Sequence, residues 1–403
     1  MSAALPHHDP RQAGQAGRCG RLLVVVNRDW FFLSHFLART LAARRAGYEV
    51  TVVCQDTGRM DALRKAGLDV QPLVIPRHRP TPWSVLRTSL RLRHVYRRTQ
   101  PTVIWHIGLL PIVCGGLAAW SLQQRGLVNA PVGMGYVFAT SSARAALLRP
   151  VVRLVLRWLL NPPGSRVIFE NRDDLREMLA LRAVRRDGAV LIRGAGVAVP
   201  EEPVAEPDGI PVVLFAARLI WEKGVGEFVA AARRLRARTV PVRFLIAGGI
   251  DGESVSAVPE SQLRAWVDEG TVEWLGHRTD LDQVLAHSHV FCLPTWYREG
   301  LPKVILEAMA CGRAVVTTDT PGCREAVQHE VNGLLVSPKN VEALAAAIER
   351  LLIDPELRRR LGACGRERAQ REFSTERVCA ETLAVFDAVS GRVQKPRAEC
   401  KAV

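Results

Sequence analysis

Short runs of Val, Ile and Leu alternate with helix-patterned stretches from residue 22 almost to the end of this chain, and that alternation fixes the fold class. Apolar runs that read as strands lie at 22–26, 49–53, 70–74, 103–106, 131–133, 166–169 and 190–193. A second set follows at 212–216, 243–247, 272–275, 290–293, 314–317 and 334–336. Helical patterns fill the first half at 34–46, 83–98, 112–124, 143–160 and 172–181, and helices follow most strands of the second half. Strands apolar on both faces, each leading into a helix, make parallel sheets covered on both sides. A chain of 403 residues outgrows one hydrophobic core. The stretch 199–209 is rich in Pro and Glu and has no apolar period, as a linker would. The expectation is therefore an α/β chain of two doubly wound domains. A tail covers 1–20, the first domain 21–200 and the second 201–375; a helix and tail at 376–403 cross back to the first domain. Two such domains facing a central cleft hold ligands in the loops after their strands.

Charge is divided between the halves. The formal net charge is +15, yet residues 1–200 hold 29 basic against 11 acidic residues, and residues 201–403 hold 26 against 29. Between Asp69 and Glu170 there is no carboxylate, but there are 13 arginines. The first half therefore faces something anionic. In 145–160, Arg149, Arg153 and Arg157 recur four residues apart among Leu and Val, with Trp158 beside them. Such a helix suits the interface of an anionic membrane surface, or else it is buried on one side with its arginines in solvent. The stretch 83–98 adds a second cationic run. A nucleic-acid partner is disfavoured, because aromatic residues are only 6% of the chain and do not interleave with the arginines.

Nine cysteines, an odd number without a C-x-x-C, point to a reduced cytoplasmic protein rather than a disulfide or zinc framework. The first twenty residues lack the apolar stretch of a signal peptide. Residues 101–120 carry no charge, but Pro101, Gly108, Pro111, Gly115 and Gly116 break them into strand, loop and helix rather than a membrane span.

Two loops carry chemistry. Glu299-Gly-Leu-Pro-Lys-Val-Ile-Leu-Glu307 follows the strand at 290–293 and opens a helix. The amides of Gly300, Leu301 and Lys303 gather at the positive end of that helix, which accepts phosphate or a cluster of hydroxyls. The plainer alternative is one capping and one surface glutamate. Arg218 and Lys223 lie in the first strand-to-helix loop of the second half. A forked guanidinium and a compact ammonium there suit a diphosphate, unless both are ordinary solvated loop cations. Asp280-Leu-Asp282 spells a D-x-D, but it opens a helix and reads as a cap, so no metal ligand is assigned.

Further pieces follow in order: Gly276-His277, Ala310-Cys-Gly-Arg-Ala-Val-Val316 and Asn332-Gly-Leu-Leu-Val336. Together with Arg218, Lys223 and the E-x7-E segment, they make the block 217–336 resemble the donor domain of glycosyltransferase family 4. The members of that family are retaining enzymes of the GT-B fold, with two Rossmann-like domains. The first half resembles a bacterial branch that builds surface polysaccharide, lipopolysaccharide or lipid-linked oligosaccharide. The matching pieces there are 27–35, 115–119, 133–138, 169–171 and 194–197.

The resemblance implies that Arg218 and Lys223 hold the donor diphosphate, and that Glu299 and the amides after it meet the transferred sugar. It also implies that Glu307 binds the ribose and that the loop around His277 frames the base. Glu299, Arg218 and Lys223 then form the catalytic set. No cofactor is implied beyond the nucleotide sugar, a UDP-sugar as co-substrate, and no metal is needed where two cations neutralise the leaving group. Asp29 and His35, after the first strand, are candidates for the acceptor, with Asp29 alternatively a helix cap and His35 a helix histidine. Tyr136 is a candidate for the same groove. His106 is a further acceptor candidate, but it stands one position past the place where the branch often carries a histidine, at Trp105, and so points to the opposite face of the strand. The expected enzyme moves a hexose or N-acetylhexosamine to a lipid-linked or polysaccharide acceptor at the cytoplasmic membrane face. Alternatives are a nucleotide-sugar epimerase of similar fold and a basic nucleic-acid-binding protein.

Overall fold

The computed structural model describes residues 20–75, 80–132, 154–238, 241–252 and 254–391. Two parallel sheets organise the chain. The first has seven strands in the order β3-β2-β1-β4-β5-β6-β7, with β1 Arg21–Arg28, β2 Glu49–Gln55, β3 Asp69–Pro72, β4 Val103–Ile107, β5 Leu127–Ala130, β6 Arg166–Phe169 and β7 Ala189–Leu191. The second has six in the order β10-β9-β8-β11-β12-β13, with β8 Val212–Ala216, β9 Arg243–Ala247, β10 Glu273–Trp274, β11 Val290–Leu293, β12 Ala314–Thr318 and β13 Leu334–Val336. Each sheet winds outward from its first strand and then turns back, giving the doubly wound α/β architecture that the alternation requires.

The chain packs as two units. One runs as far as Ala130 and takes back the C-terminal stretch from Thr382; the other includes Val167–Glu381. The part of the helix Thr375–Ser390 from Thr382 onward belongs to the first unit, where Phe386 lies against Trp105, with ring centroids 5.3 Å apart, and Asp387 accepts from the hydroxyl of Tyr48 at 2.9 Å. In the second unit the stretch around 200–206 is strapped down by arginines. Arg313 donates to the carbonyls of Val204 and Ala205, and the buried Arg358 pairs with Glu206 at 2.9 Å.

Local departures from the expected elements have local causes. The strand expected at 131–133 is instead Leu127–Ala130. Pro131 has no N–H to continue the ladder, and Gly126 with φ +73° turns the chain into the strand. The helix expected over 34–46 is two helices, Asp29–His35 and Leu37–Arg45, broken at Phe36. Residues 101–120 form β4 and the helix Leu109–Trp120, as their prolines and glycines foretold. Among the described residues no helix is long and apolar enough to cross a membrane.

His106 lies in β4 directly opposite Asn129 of β5, and the fully buried ring bonds it at 2.8 Å. The Asn129 Oδ1 only accepts, so Nδ1 of the ring carries the proton and Nε2 accepts from the hydroxyl of Tyr96, also at 2.8 Å. A Cβ at Gly115 would stand 2.3 Å from this ring, so the glycine makes room for it. Trp105, one residue earlier, faces the other side against Phe36. The alternation is as expected, but the structure puts His106 in the core rather than at an acceptor groove.

Burial pulls the His106 pKa down to about 4, against the opposing hydrogen bond to Asn129. An unfolded histidine titrates near 6.5. The stability conferred by the neutral ring is therefore whole above about pH 6.5 and is lost as pH falls toward 4, about 3 kcal/mol in all. His106→Gln should flatten the acid-side fall of unfolding free energy between those values in urea titrations. A slope equal to wild type would mean that another group carries it.

Candidate active site

The second sheet reverses its winding between β8 and β11, and the loops that leave the carboxyl ends of these two parallel strands diverge to open a crevice there. The loop after β8 carries Arg218 and Lys223, and the loop after β11 carries Glu299. Backbone contacts bind the two loops together. The amides of Trp296 and Tyr297 donate to the carbonyl of Glu222 at 3.0 and 3.1 Å, and the Thr295 hydroxyl donates to the same oxygen at 3.0 Å. Gly224 has φ +82°, and a Cβ there would stand 2.1 Å from the carbonyl oxygen of Pro294. Only glycine allows this approach. Lys223 thereby meets Glu299, Nζ to Oε2 at 2.5 Å, in a pair only 11% and 16% exposed.

At the start of the same loop, Arg218 pairs with Asp251 at 2.6 Å and is 38% exposed. Asp251 belongs to the loop after β9, which lies close by because Leu219 bridges to Ile250 and Gly248 sits against the Ala217 carbonyl. Each cation the sequence marked for a diphosphate is thus held by a carboxylate of the protein. An anion that used both cations would have to displace both carboxylates rather than fill an unpaired cationic pocket.

The Glu299 loop is gripped from another direction. Asn171, which caps the helix Arg172–Ala180, donates to the Gly300 carbonyl at 2.7 Å. Arg298 binds Asp174 at 2.5 Å and also binds Glu177. A Cβ on Gly300 would fall 2.1 Å from the Glu170 carboxylate. The residues Glu170, Asn171, Asp174, Glu177 and Asp251 carry no local signal for this role, because each finds its partner tens of positions away. Asn171 and Glu170 were legible only as part of a family-like piece.

The helix after this loop, Lys303–Ala310, starts immediately behind Pro302, which lacks an N–H to leave unpaired. Glu307 lies one turn past Lys303 and pairs with it at 2.8 Å, both half-buried. The Leu301 side chain is buried against Gly194, so what it can offer a ligand is its backbone. His277 is exposed beside Gly249, at the carboxyl edge shared by β9 and β10. Cys323 is buried near Lys223 and Glu299. Burial first, and then the charge of Glu299, push its thiol up to about 11, so it stays protonated and is no nucleophile at neutral pH. Asp280 occupies the position before the helix Leu281–Ala286 but does not cap it; its carboxylate pairs with Arg278 at 2.5 Å instead. No group of three His, Cys, Asp or Glu that could hold a metal occurs among the described residues.

The acceptor candidates separate. Asp29 is fully buried at the end of β1. Its carboxylate accepts from the amides of Trp30 at 2.7 Å, Thr57 at 2.8 Å and Arg59 at 3.0 Å, and from the Thr57 hydroxyl. Burial works to raise its pKa, but the Thr57 hydroxyl and the three amides override it, and the carboxyl ends below its usual value. All its accepting positions serve the protein, which corrects its assignment to acceptor hydroxyls. His35, half-buried, ends the helix Asp29–His35 and bonds the Ser34 hydroxyl through Nδ1 at 2.6 Å. Tyr136, Arg149 and Arg153 lie outside the described residues. Arg157 and Trp158 are exposed in a helical turn at 154–160, where Arg157 donates to the Arg182 carbonyl at 3.4 Å.

Comparison with known proteins agrees with this geometry. The sequence profile described as "Glycosyl transferases group 1" matches residues 210–354, and that of "Glycosyl transferase 4-like" matches 21–169. The N,N'-diacetylbacillosaminyl-diphospho-undecaprenol alpha-1,3-N-acetylgalactosaminyltransferase of Campylobacter jejuni is 28% identical over 358 residues, 85% of this chain and 91% of that protein. The alpha-maltose-1-phosphate synthase of Mycolicibacterium smegmatis is 35% identical, over 47% of this chain and 52% of its own length. Among solved structures, Alr3699/HepE of Anabaena in complex with UDP-glucose superposes with a TM-score of 0.70 at 17% identity, covering 92% of this chain and all of that one; at that identity the likeness speaks to the fold. Two profiles that between them span nearly three quarters of the sequence, over two parallel α/β sheets, make this chain a glycosyltransferase of family 4, of the GT-B fold and related to bacterial enzymes of lipid-linked saccharide and polysaccharide assembly.

Proposed function

We propose that this enzyme transfers a hexose or N-acetylhexosamine, with retention, from a UDP-sugar to a lipid-linked saccharide or polysaccharide precursor at the cytoplasmic face of the membrane. The observation that carries the reading is the Lys223–Glu299 pair at the switch point of the second sheet, with Arg218 on the same loop. Lys223 and Arg218 exchange their carboxylate partners for the donor diphosphate, and Glu299, relieved of its cation, turns to the sugar hydroxyls. The C1–O bond to the diphosphate breaks as negative charge collects on the leaving phosphate, where the two cations stabilise it. The acceptor hydroxyl attacks from the same face and its proton passes to the departing phosphate oxygen, so the configuration is kept. We read the reaction as metal-independent because two side-chain cations are at hand for this charge. The acceptor class is supported by the Campylobacter jejuni relative, whose name gives a diphospho-undecaprenol acceptor and N-acetylgalactosamine as the transferred group.

Thermal stabilisation by UDP-, GDP- and dTDP-sugars tests the donor, since a ligand bound only by the folded state raises the melting temperature. UDP-sugars should give the largest shift, and no shift with any of them would defeat the reading. Glu307 is assigned to the ribose. Glu307→Ala should raise the donor KM about tenfold with kcat nearly unchanged, the mark of a lost contact made equally in ground and transition states. Unchanged KM would remove Glu307 from the nucleotide.

A further inference from the structure

Both feet of the loop after β9 are tied to the loop after β8, inside the second unit. At one foot the Leu219 amide donates to the Gly249 carbonyl at 3.1 Å, and a Cβ on Gly248 would stand 2.0 Å from the Ala217 carbonyl oxygen. At the other foot the Trp221 amide donates to the Ser256 carbonyl and the Val258 amide to the Leu219 carbonyl, each at 3.0 Å. The Ser256 hydroxyl adds a bond to the Glu222 carboxylate at 2.5 Å. Between the feet the chain turns at Asp251, whose carbonyl accepts from the Ser254 amide at 2.9 Å. The tip faces solvent: Val255 is fully exposed, and a Cβ on Gly252 would meet nothing within 4 Å. The Asp251 carboxylate turns inward instead. It is 16% exposed and accepts from Nη1 of Arg218 at 2.6 Å.

The two partners differ in freedom. Asp251 carries a short side chain on a loop tied at both feet, whereas Arg218 carries a long one that is 38% exposed. A diphosphate can draw the guanidinium away, but the carboxylate stays within reach to recapture it. A ligand that must first free its partner binds more weakly, in proportion to the share of molecules in which that partner is free. The need for such a counterweight lies in the reaction. Breaking C1–O turns the sugar-bearing phosphate into a terminal one with a further ionisable oxygen, so the product grips a pair of cations more tightly than the donor does. We propose that Asp251 is a built-in competitor for Arg218, which weakens the hold on nucleoside diphosphates and lets the product leave after transfer. The inference deepens the proposed function and rests on it only in that Arg218 meets the donor diphosphate.

The test is calorimetric titration of UDP, GDP, dTDP and inorganic pyrophosphate into the full chain as wild type, Asp251→Asn, Arg218→Met and the double variant. Asp251→Asn should bind the preferred diphosphate about fivefold more tightly, as the share of molecules with Arg218 released rises from roughly a fifth toward one. Pyrophosphate should gain by a similar factor, and uridine, which has no phosphate, should gain nothing. In the Arg218→Met background the same change should have no effect, because the cation competed for is gone. Arg218 is exposed enough for water to take the place of Asp251, so Asp251→Asn without ligand should melt as wild type does. Equal binding by wild type and Asp251→Asn would overturn the proposal. So would an equal gain with and without Arg218, the mark of a bare charge repelling anions. Failure of all three nucleotides to bind, with the pyrophosphate gain intact, defeats the donor reading alone. Nucleotide binding that Asp251→Asn leaves unchanged defeats the competitor alone, and binding of neither nucleotide nor pyrophosphate overturns both.

Discussion

Lys223→Met is expected to lower kcat/KM for glycosyl transfer by about a thousandfold, the largest catalytic effect of any single substitution in this chain. Two losses combine. On the proposed reading, the ammonium that would face the charge developing on a leaving diphosphate disappears, and preorganised partners of that kind are each responsible for about 10²–10³ in rate. Glu299, largely out of water beside it, also loses its cation. An uncompensated carboxylate in such a place is destabilising, by up to about 3–5 kcal/mol where burial is complete. The two losses can be separated. Lys223→Met with Glu299→Gln removes the orphaned charge, so the melting temperature should recover toward wild type while turnover stays low. Arg218→Met should be milder, because that guanidinium is 38% exposed and water can replace part of its interaction. Near-normal turnover of Lys223→Met would remove this cation from the reaction.

What made Lys223 visible in the sequence was order along the chain. A strand, a loop with two cations, later a strand and a loop with E-x7-E: each is a local pattern, and the parallel sheet converts that order into adjacency. The same logic placed β8, β9, β11 and β13 at their observed bounds. The counter-carboxylate on Arg218 was not legible, because Asp251 lies 33 positions away in a loop with no periodicity of its own. Neither was the grip of Asn171 and Asp174 on the Glu299 loop, across 129 and 124 positions. Sequence patterns report which face of an element is apolar; they do not report which buried polar groups meet when elements pack. For that reason His106, one residue off an expected site, could be assigned a face but not its partners Tyr96 and Asn129, and Asp29 could be placed after β1 without its four donors.

Asp29 is the second position where a single change should have a large effect, in stability rather than chemistry. Its two oxygens join the start of the helix Asp29–His35 to the loop after β2, through Trp30, Thr57 and Arg59. Asp29→Ala leaves three amides and a hydroxyl without partners in a site closed to solvent, and a loss of about 3–5 kcal/mol is expected. For a folding unit of roughly 150–250 residues, the size range of the unit that holds Asp29, that lowers the melting temperature by about 10 °C, at roughly 2–4 °C per kcal/mol. Asp29→Asn, which keeps one accepting oxygen, should fall between. The sign of the pH dependence follows from a carboxyl held below its usual value. The clamp is complete above the unfolded pKa near 3.9 and loosens only as pH falls through the lower folded one, so Asp29→Ala and wild type should converge in strongly acid solution. Were Asp29 an acceptor ligand instead, Asp29→Ala would melt with wild type and raise the acceptor KM alone. A calorimetric scan at neutral pH beside an acceptor titration distinguishes the two outcomes.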